Sequence, residues 1–133
     1  EKVEIGSQLR ISDIVAKGYN KNGKVATKAR RTAKIGVAGT LLKNSLAESG
    51  NKILFIRIIA PNGTVLTQSN ANQFDFEGKT IMYTEKKEVN YNNEDLKFEI
   101  FYNASNEALS IGSYQISIFC DGKEIGKSQL GLQ

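Results

Sequence analysis

Leu109-Ser-Ile-Gly-Ser-Tyr114-Gln-Ile-Ser-Ile-Phe-Cys120-Asp-Gly-Lys-Glu-Ile125-Gly126 is the stretch that decides the architecture. Apolar side chains recur at Tyr114, Ile116, Ile118 and Cys120, with Gln115 and Ser117 between them. That period of two marks a strand with one buried face. Asp121-Gly122 follows at once. A two-residue type I′ turn needs positive φ at both central positions, and Asp-Gly is among the pairs that supply it. Lys123 to Leu132 then reads as the returning strand, so the C-terminal segment is an antiparallel hairpin.

The same pattern extends upstream. Leu96, Phe98, Ile100 and Tyr102 alternate with polar or exposed-phase positions. Ile53 to Ala60 reads as a central strand, apolar on both faces, with Arg57 interrupting it. Pro61-Asn62-Gly63 is a turn, and Thr64 to Thr67 is expected to restart a strand and close a second hairpin. Thr27 to Leu42 reads as one long extended segment, with Ile35, Val37, Gly39 and Leu41 on one face and Lys34, Gly36, Ala38 and Thr40 on the other. Leu9 to Ala16 is the first strand, and the slip of phase at Ile14-Val15 predicts a bulge. Before it, Val3 and Ile5 are the only apolar anchors of a charged segment.

Gly18 to Gly23 is a loop of turn residues. Asn44 to Lys52 has room for one helical turn, ended by Gly50-Asn51. Gln68 to Gly78 reads as a polar loop carrying Phe74 and Phe76. Ile81 to Thr84 and Lys86 to Tyr91 read as edge strands, which tend to carry charge, and Asn103 to Ser110 as a loop. The expectation is an all-β fold, an antiparallel β-sandwich of about eight strands in a single domain spanning residues 1–133, with a closed barrel as the structural alternative.

Composition narrows the chemistry. Histidine is absent, which removes Ser-His-Asp and Cys-His nucleophilic machinery together with the commonest general base and zinc ligand. Cys120 is the single cysteine, so it cannot form an internal disulfide or a multi-cysteine metal site. Its place on the apolar face of a strand makes it a small buried hydrophobe. The acidic pairs Asp75/Glu77 and Glu94/Asp95 are too sparse for a calcium loop, and no phosphate-binding glycine loop or dinucleotide fingerprint occurs. No catalytic residue, cofactor or metal is expected, and the chain reads as a non-enzyme.

One segment stands apart. Lys21, Lys24, Lys28, Arg30, Arg31 and Lys34 follow one another with no acid among them, and they outweigh the whole formal net charge of +4. On an extended strand Lys28, Arg30, Thr32 and Lys34 share a face. Lys24, Lys28, Arg30, Arg31 and Lys34 are therefore the candidate surface for an anionic partner: acidic protein, acidic lipid or nucleic acid. A charged strand edge that repels neighbours is the plain alternative. Specific nucleic-acid recognition is not expected, because no aromatic nearer than Tyr19 offers a stacking face. Phe74, Phe76, Tyr83, Tyr91 and Tyr102 are a candidate sugar platform, set against ordinary packing.

Two resemblances add to this. Ile111-Gly-Ser-Tyr-Gln-Ile-Ser-Ile followed by Asp-Gly-Lys-Glu-Ile-Gly is similar to the last two strands of immunoglobulin-like and fibronectin-like sandwiches. The paired cysteines and packed Trp of antibody domains are missing. Ala29-Arg30-Arg31-Thr32-Ala-Lys34-Ile35, Leu42-Lys-Asn44-Ser-Leu46-Ala47 and Ile56-Arg57-Ile58-Ile-Ala-Pro61-Asn-Gly63 resemble the C-terminal β-domain of bacterial membrane-anchored coiled-coil envelope proteins of unknown function. That resemblance implies an immunoglobulin-like head in the periplasm or cell envelope that binds another protein. It also implies an upstream coiled coil through which the protein would oligomerise, and a membrane attachment made only by an upstream anchor. The absence of an initial Met fits an expectation that a longer chain has been trimmed, and no targeting signal is read within this one.

Overall fold

Alternation along residues 112–132 becomes two paired strands. The computed structural model describes residues 8–104 and 108–133. The expectations for Val3 and Ile5, and for the middle of the 103–110 loop, lie outside the described residues. β9 (Gly112–Cys120) and β10 (Lys123–Leu132) run antiparallel, with Lys123 opposite Cys120. Between them Asp121 has φ 53° and Gly122 φ 75°, the double positive φ of a type I′ turn. Tyr114, Ile116, Ile118 and Cys120 are each no more than 2% exposed.

The remaining strands are β1 (Ile11–Tyr19), β2 (Val25–Ala26), β3 (Lys34–Leu41), β4 (Gly50–Ile59), β5 (Gln73–Phe76), β6 (Lys79–Met82), β7 (Glu85–Tyr91) and β8 (Leu96–Asn103). Eight of the ten form two four-stranded antiparallel sheets, ordered β2-β1-β3-β8 and β10-β9-β4-β7. The pairings β3–β8, β4–β9 and β9–β10 reproduce the B–E, C–F and F–G pairs of an immunoglobulin-like sandwich, with β7 beside β4 in the place of C′. The hydroxyl of Tyr114 donates to the carbonyl of Ser110 at 2.7 Å, the tyrosine corner of that architecture.

Period two builds the core between the sheets. Ile35, Val37 and Leu41 of β3 and Phe98, Ile100 and Tyr102 of β8 face Leu54, Ile56 and Ile58 of β4 and the inward row of β9. Each buried aliphatic side chain contributes about 1.5–3 kcal/mol relative to exposure. The expected bulge in β1 is present: register shifts between Ser12 and Val15, where Asp13 has φ 57°. β7 is an edge strand, as its charges suggested. Gly36 lies under Tyr19 and Phe101, where a Cβ would meet both rings at 2.8 Å. Its smallness is a packing requirement of the outer face of β3.

Three expectations are corrected. Thr27 to Leu42 is not one strand, because a single 3-10 turn at Ala29–Arg31 precedes β3. Gln68 to Gly78 is not simply a loop. β5 pairs with β6 across Glu77 (φ 52°) and Gly78 (φ 79°). The hairpin lies on the outer face of β4 and β9, where Phe74 stacks on Phe55 at 4.5 Å, Phe76 meets Phe119 edge-on at 4.9 Å and Arg57 Nε donates to the Met82 carbonyl at 2.9 Å. Finally, Thr64 to Thr67 makes only one bridge, Val65 opposite Ile59. Past Ile56 the free side of β4 is shared: Thr84 accepts from the Ile58 N–H at 2.8 Å and donates its own N–H to the Ile56 carbonyl at 2.7 Å, while the Leu66 N–H donates to the Ile58 carbonyl at 2.9 Å and the Ala60 N–H to the Thr64 carbonyl at 2.8 Å.

Two carbonyls on the outer edge of β8 are also occupied. Lys87 Nζ donates to the Glu99 carbonyl at 3.2 Å, and Gln68 Nε2 to the Asn103 carbonyl at 2.7 Å.

The hierarchy of these contacts is measurable by urea unfolding. Leu54→Ala, in the centre of the core, should cost about 3 kcal/mol, and Tyr114→Phe, which deletes the corner hydrogen bond and the hydroxyl's longer contact with Ser110 Oγ, about 1 kcal/mol. Equal losses would contradict this placement of the core.

Candidate functional site

The two ends of the sandwich differ. At the end carrying the Asp121-Gly122 turn, side chains fasten the loops to one another. Tyr91 Oη donates to the carbonyls of Leu42 and Asn44 at 3.2 and 3.3 Å. Asn93 Nδ2 donates to the carbonyls of Asn44 and Ala47 at 2.9 and 2.8 Å, and Asp95 accepts from the Lys43 N–H at 2.8 Å. Lys52 occupies an inward position of β4, 9% exposed, and its ammonium reaches Asp121 at 2.9 Å. That hydrogen bond, helped by the carboxylate's charge and opposed by burial, raises its pKa. Polar groups here are committed to structure.

The opposite end carries the basic segment. Ala29 is buried, and its N–H donates to the Gln133 carbonyl at 2.7 Å while the Gln133 N–H donates to the Thr27 carbonyl at 2.8 Å. Thr32 Oγ1 donates to the Lys28 carbonyl at 2.8 Å, and the Thr32 N–H to the Ala29 carbonyl at 3.2 Å. These bonds wind the chain into the 3-10 turn and anchor it against the end of β10. With Ala29 turned inward, Lys28, Arg30 and Arg31 are all exposed. Their bunching replaces the expected strand alternation: a turn fans successive side chains around one point, where a strand would send them to opposite faces.

A cleft of about 610 Å³ opens beside the turn. Arg30 and Arg31 line one side, and Asn20, Lys21 and Asn22 the other. The second wall is shaped by Asn20, whose Oδ1 accepts from the N–H groups of Asn22 and Lys24 at 2.9 and 3.0 Å. Across the turn a second cleft, of about 460 Å³, is lined by Lys28, Arg30, Leu109 and Ile111. Ala29 and Arg30 border both. Among the described residues the ion pairs are Lys52–Asp121 and Lys127–Glu124, and neither draws on this cluster.

Of the five candidate residues, the structure brings Lys28, Arg30 and Arg31 together. Lys24 sits on the adjoining loop outside both clefts. Lys34 belongs elsewhere: it starts β3 and lies over the Phe101 ring at 4.6 Å, on the outer face of the sheet. Tyr19 meets the same ring edge-on at 5.8 Å. Two contributors escaped the sequence reading as site residues, Leu109 and Ile111, because only the fold carries the 108–111 segment to the 3-10 turn. The proposed sugar platform is dispersed. Tyr91 and Tyr102 are core residues, 0% and 2% exposed, and Phe74, Phe76 and Tyr83 pack in the cluster around Phe55 and Phe119.

The fold and this end define the class: an immunoglobulin-like β-sandwich with a cationic, cleft-bearing end. The chain belongs to the family described as a domain of unknown function (DUF8428), whose model matches residues 12–133. No curated protein matches it. Among solved structures it is similar to the alkylpurine DNA glycosylase AlkC of Pseudomonas fluorescens, bound to DNA containing an abasic site analog. The identity is 9% and the TM-score 0.54, over 97% of this chain and 31% of that one. A β-glucosidase from Kluyveromyces marxianus gives 10% identity and a TM-score of 0.53, over 96% of this chain and 14% of that one. An immunoglobulin-like protein of Pseudomonas aeruginosa (PA1606) gives 10% identity and a TM-score of 0.39, over 96% and 98%. The chain thus spans under a third of the length of the first two, and at these identities the first two likenesses speak to fold alone.

Cys120 lies outside the cationic end. Burial pushes its thiol up to about 12, so it stays protonated and unreactive at neutral pH. The unfolded thiol ionises near about 8.5. The raised folded pKa therefore gives a stability contribution that is fully present below that pH and is lost as pH rises toward about 12. Urea midpoints should fall above about pH 9, and Cys120→Val should flatten the fall. An alkaline decline identical in the variant would show that the thiol is not its source.

Proposed function

We propose that this chain is a non-catalytic binding domain that captures an acidic segment of another protein at its cationic end. The observation that carries this reading is the exposed Arg30-Arg31 pair, held on the anchored 3-10 turn at the mouth of a cleft whose far wall carries Lys21. Arginine presents a planar fork of donors suited to carboxylates. The turn is tied by backbone bonds to Gln133, so the main chain that carries Arg30 and Arg31 is in place before a partner arrives, which reduces the backbone share of the ordering cost of binding. A buried, protonated Cys120 supports the non-catalytic part, since a thiol nucleophile acts as thiolate.

The resemblance to anchored coiled-coil proteins extends the proposal to location. In that setting the domain is the terminal periplasmic head of a bacterial envelope protein, oligomerised through the coiled coil and held at the membrane by an upstream anchor. The natural protein should then be far larger than 14.6 kDa and sediment with membranes. A soluble cytosolic species near that mass would overturn this part.

The binding reading is tested by fluorescence anisotropy with a fluorescein-labelled glutamate-rich peptide. Binding should weaken steeply between 50 and 200 mM salt, on the order of the screening expected for exposed charges. The double variant Arg30→Glu/Arg31→Glu should lower affinity by at least about tenfold and flatten the salt dependence. Unchanged affinity in the variant would overturn the assignment.

A further inference from the structure

Arg30 is shared by two concave surfaces of different character. On one side the cleft is cationic and polar, with Lys21, Arg31 and Asn20. On the other, Leu109 and Ile111 supply apolar walls and Ala29 part of the floor, beside the aliphatic stem of Lys28. Ile111 is 73% exposed, an unusual setting for a large aliphatic side chain. Leu109 beside it is 9% exposed, so the notch has a packed back wall and an open rim.

From this juxtaposition we infer that the ligand is an acidic peptide carrying an aliphatic side chain next to its carboxylates, with the carboxylates on Arg30, Arg31 and Lys21 and the aliphatic group in the Leu109–Ile111 notch. The inference rests on the acidic-segment reading and adds the apolar anchor to it. Charge complementarity selects the acidic part. The notch selects the neighbour, because an apolar group that covers Ile111 removes exposed aliphatic surface from water on both molecules. A peptide fits better than a nucleic acid. The nearby aromatics, Tyr19 and Phe101, meet each other on the outer sheet face and line neither cleft, so bases find no stacking surface there. A bilayer fits less well, since both receptive surfaces are concave.

Anisotropy with two fluorescein-labelled peptides separates the outcomes. One is a 12-residue Glu/Ser peptide, and the other is the same peptide with one central Leu. The Leu peptide should bind about tenfold tighter to the native chain, the worth of one buried aliphatic side chain. Ile111→Ser should abolish that advantage, bringing the two peptides to equal affinity, and Ile111→Leu should preserve it. The exposed position of Ile111 leaves the core intact in both variants, and circular dichroism checks this. Equal affinity for the two peptides, with binding retained, overturns this inference and leaves the acidic-segment reading standing. Binding of neither peptide overturns both. Tighter binding of a single-stranded oligonucleotide, or of phosphatidylglycerol vesicles, than of the Leu peptide also overturns it.

Discussion

The inward rows of four strands hold everything else in place. β3 and β8 in one sheet and β4 and β9 in the other meet through Ile35, Val37, Ile100, Tyr102, Leu54, Ile56, Ile58, Tyr114, Ile116 and Ile118. Side chains in a strand alternate without slack, so a slip of one residue in any of these strands would turn its apolar row to solvent. That fixes the register of all the main pairings. It also fixes where each strand leaves the sheet, and hence which loops gather at which end. The basic turn, the Asn20 loop and the 108–111 segment share an end because the registers of β1 with β3, β3 with β8 and β4 with β9 bring those strand ends together.

Within that frame the cationic end is shaped by backbone chemistry more than by its charges. Ala29 is small enough to turn inward, and its N–H finds the carbonyl of Gln133. Thr32 closes the turn by bonding back to Lys28. A buried N–H without a partner would cost on the order of 1–3 kcal/mol, so these bonds decide the local conformation. The cations are carried along to wherever the turn aims them. Mutual repulsion among Lys28, Arg30 and Arg31 opposes the arrangement, but for exposed groups in water it is weak beside the hydrogen bonds.

The sandwich was legible in the residues themselves because its signals are local. The alternation of Tyr114, Ile116 and Ile118, the Asp121-Gly122 pair and the phase slip at Ile14-Val15 each lie within a few residues. The 3-10 turn was not legible, since it depends on Gln133, which is remote in sequence from Ala29. Read in isolation, Lys28 to Lys34 has nothing to break an extended chain. The β5–β6 hairpin did leave a trace, as Phe74 and Phe76 alternate and Gly78 follows. Its turn, however, places Glu77 at positive φ, where Asn or Asp is the usual marker. The basic run itself was visible in composition. Its division into a clustered part and Lys34 on Phe101 depended on where β3 begins, and the apolar notch depended on the course of a loop.

The side chains along β8 carry a consequence of a different kind. An open sheet edge is a template, and a neighbouring molecule's strand can extend it. Here Lys87 and Gln68 already occupy the carbonyls of Glu99 and Asn103. A copy approaching along that border meets two filled acceptors and an ammonium. A strand added along that border would first have to displace both side chains, which makes the edge a poorer template than a bare one.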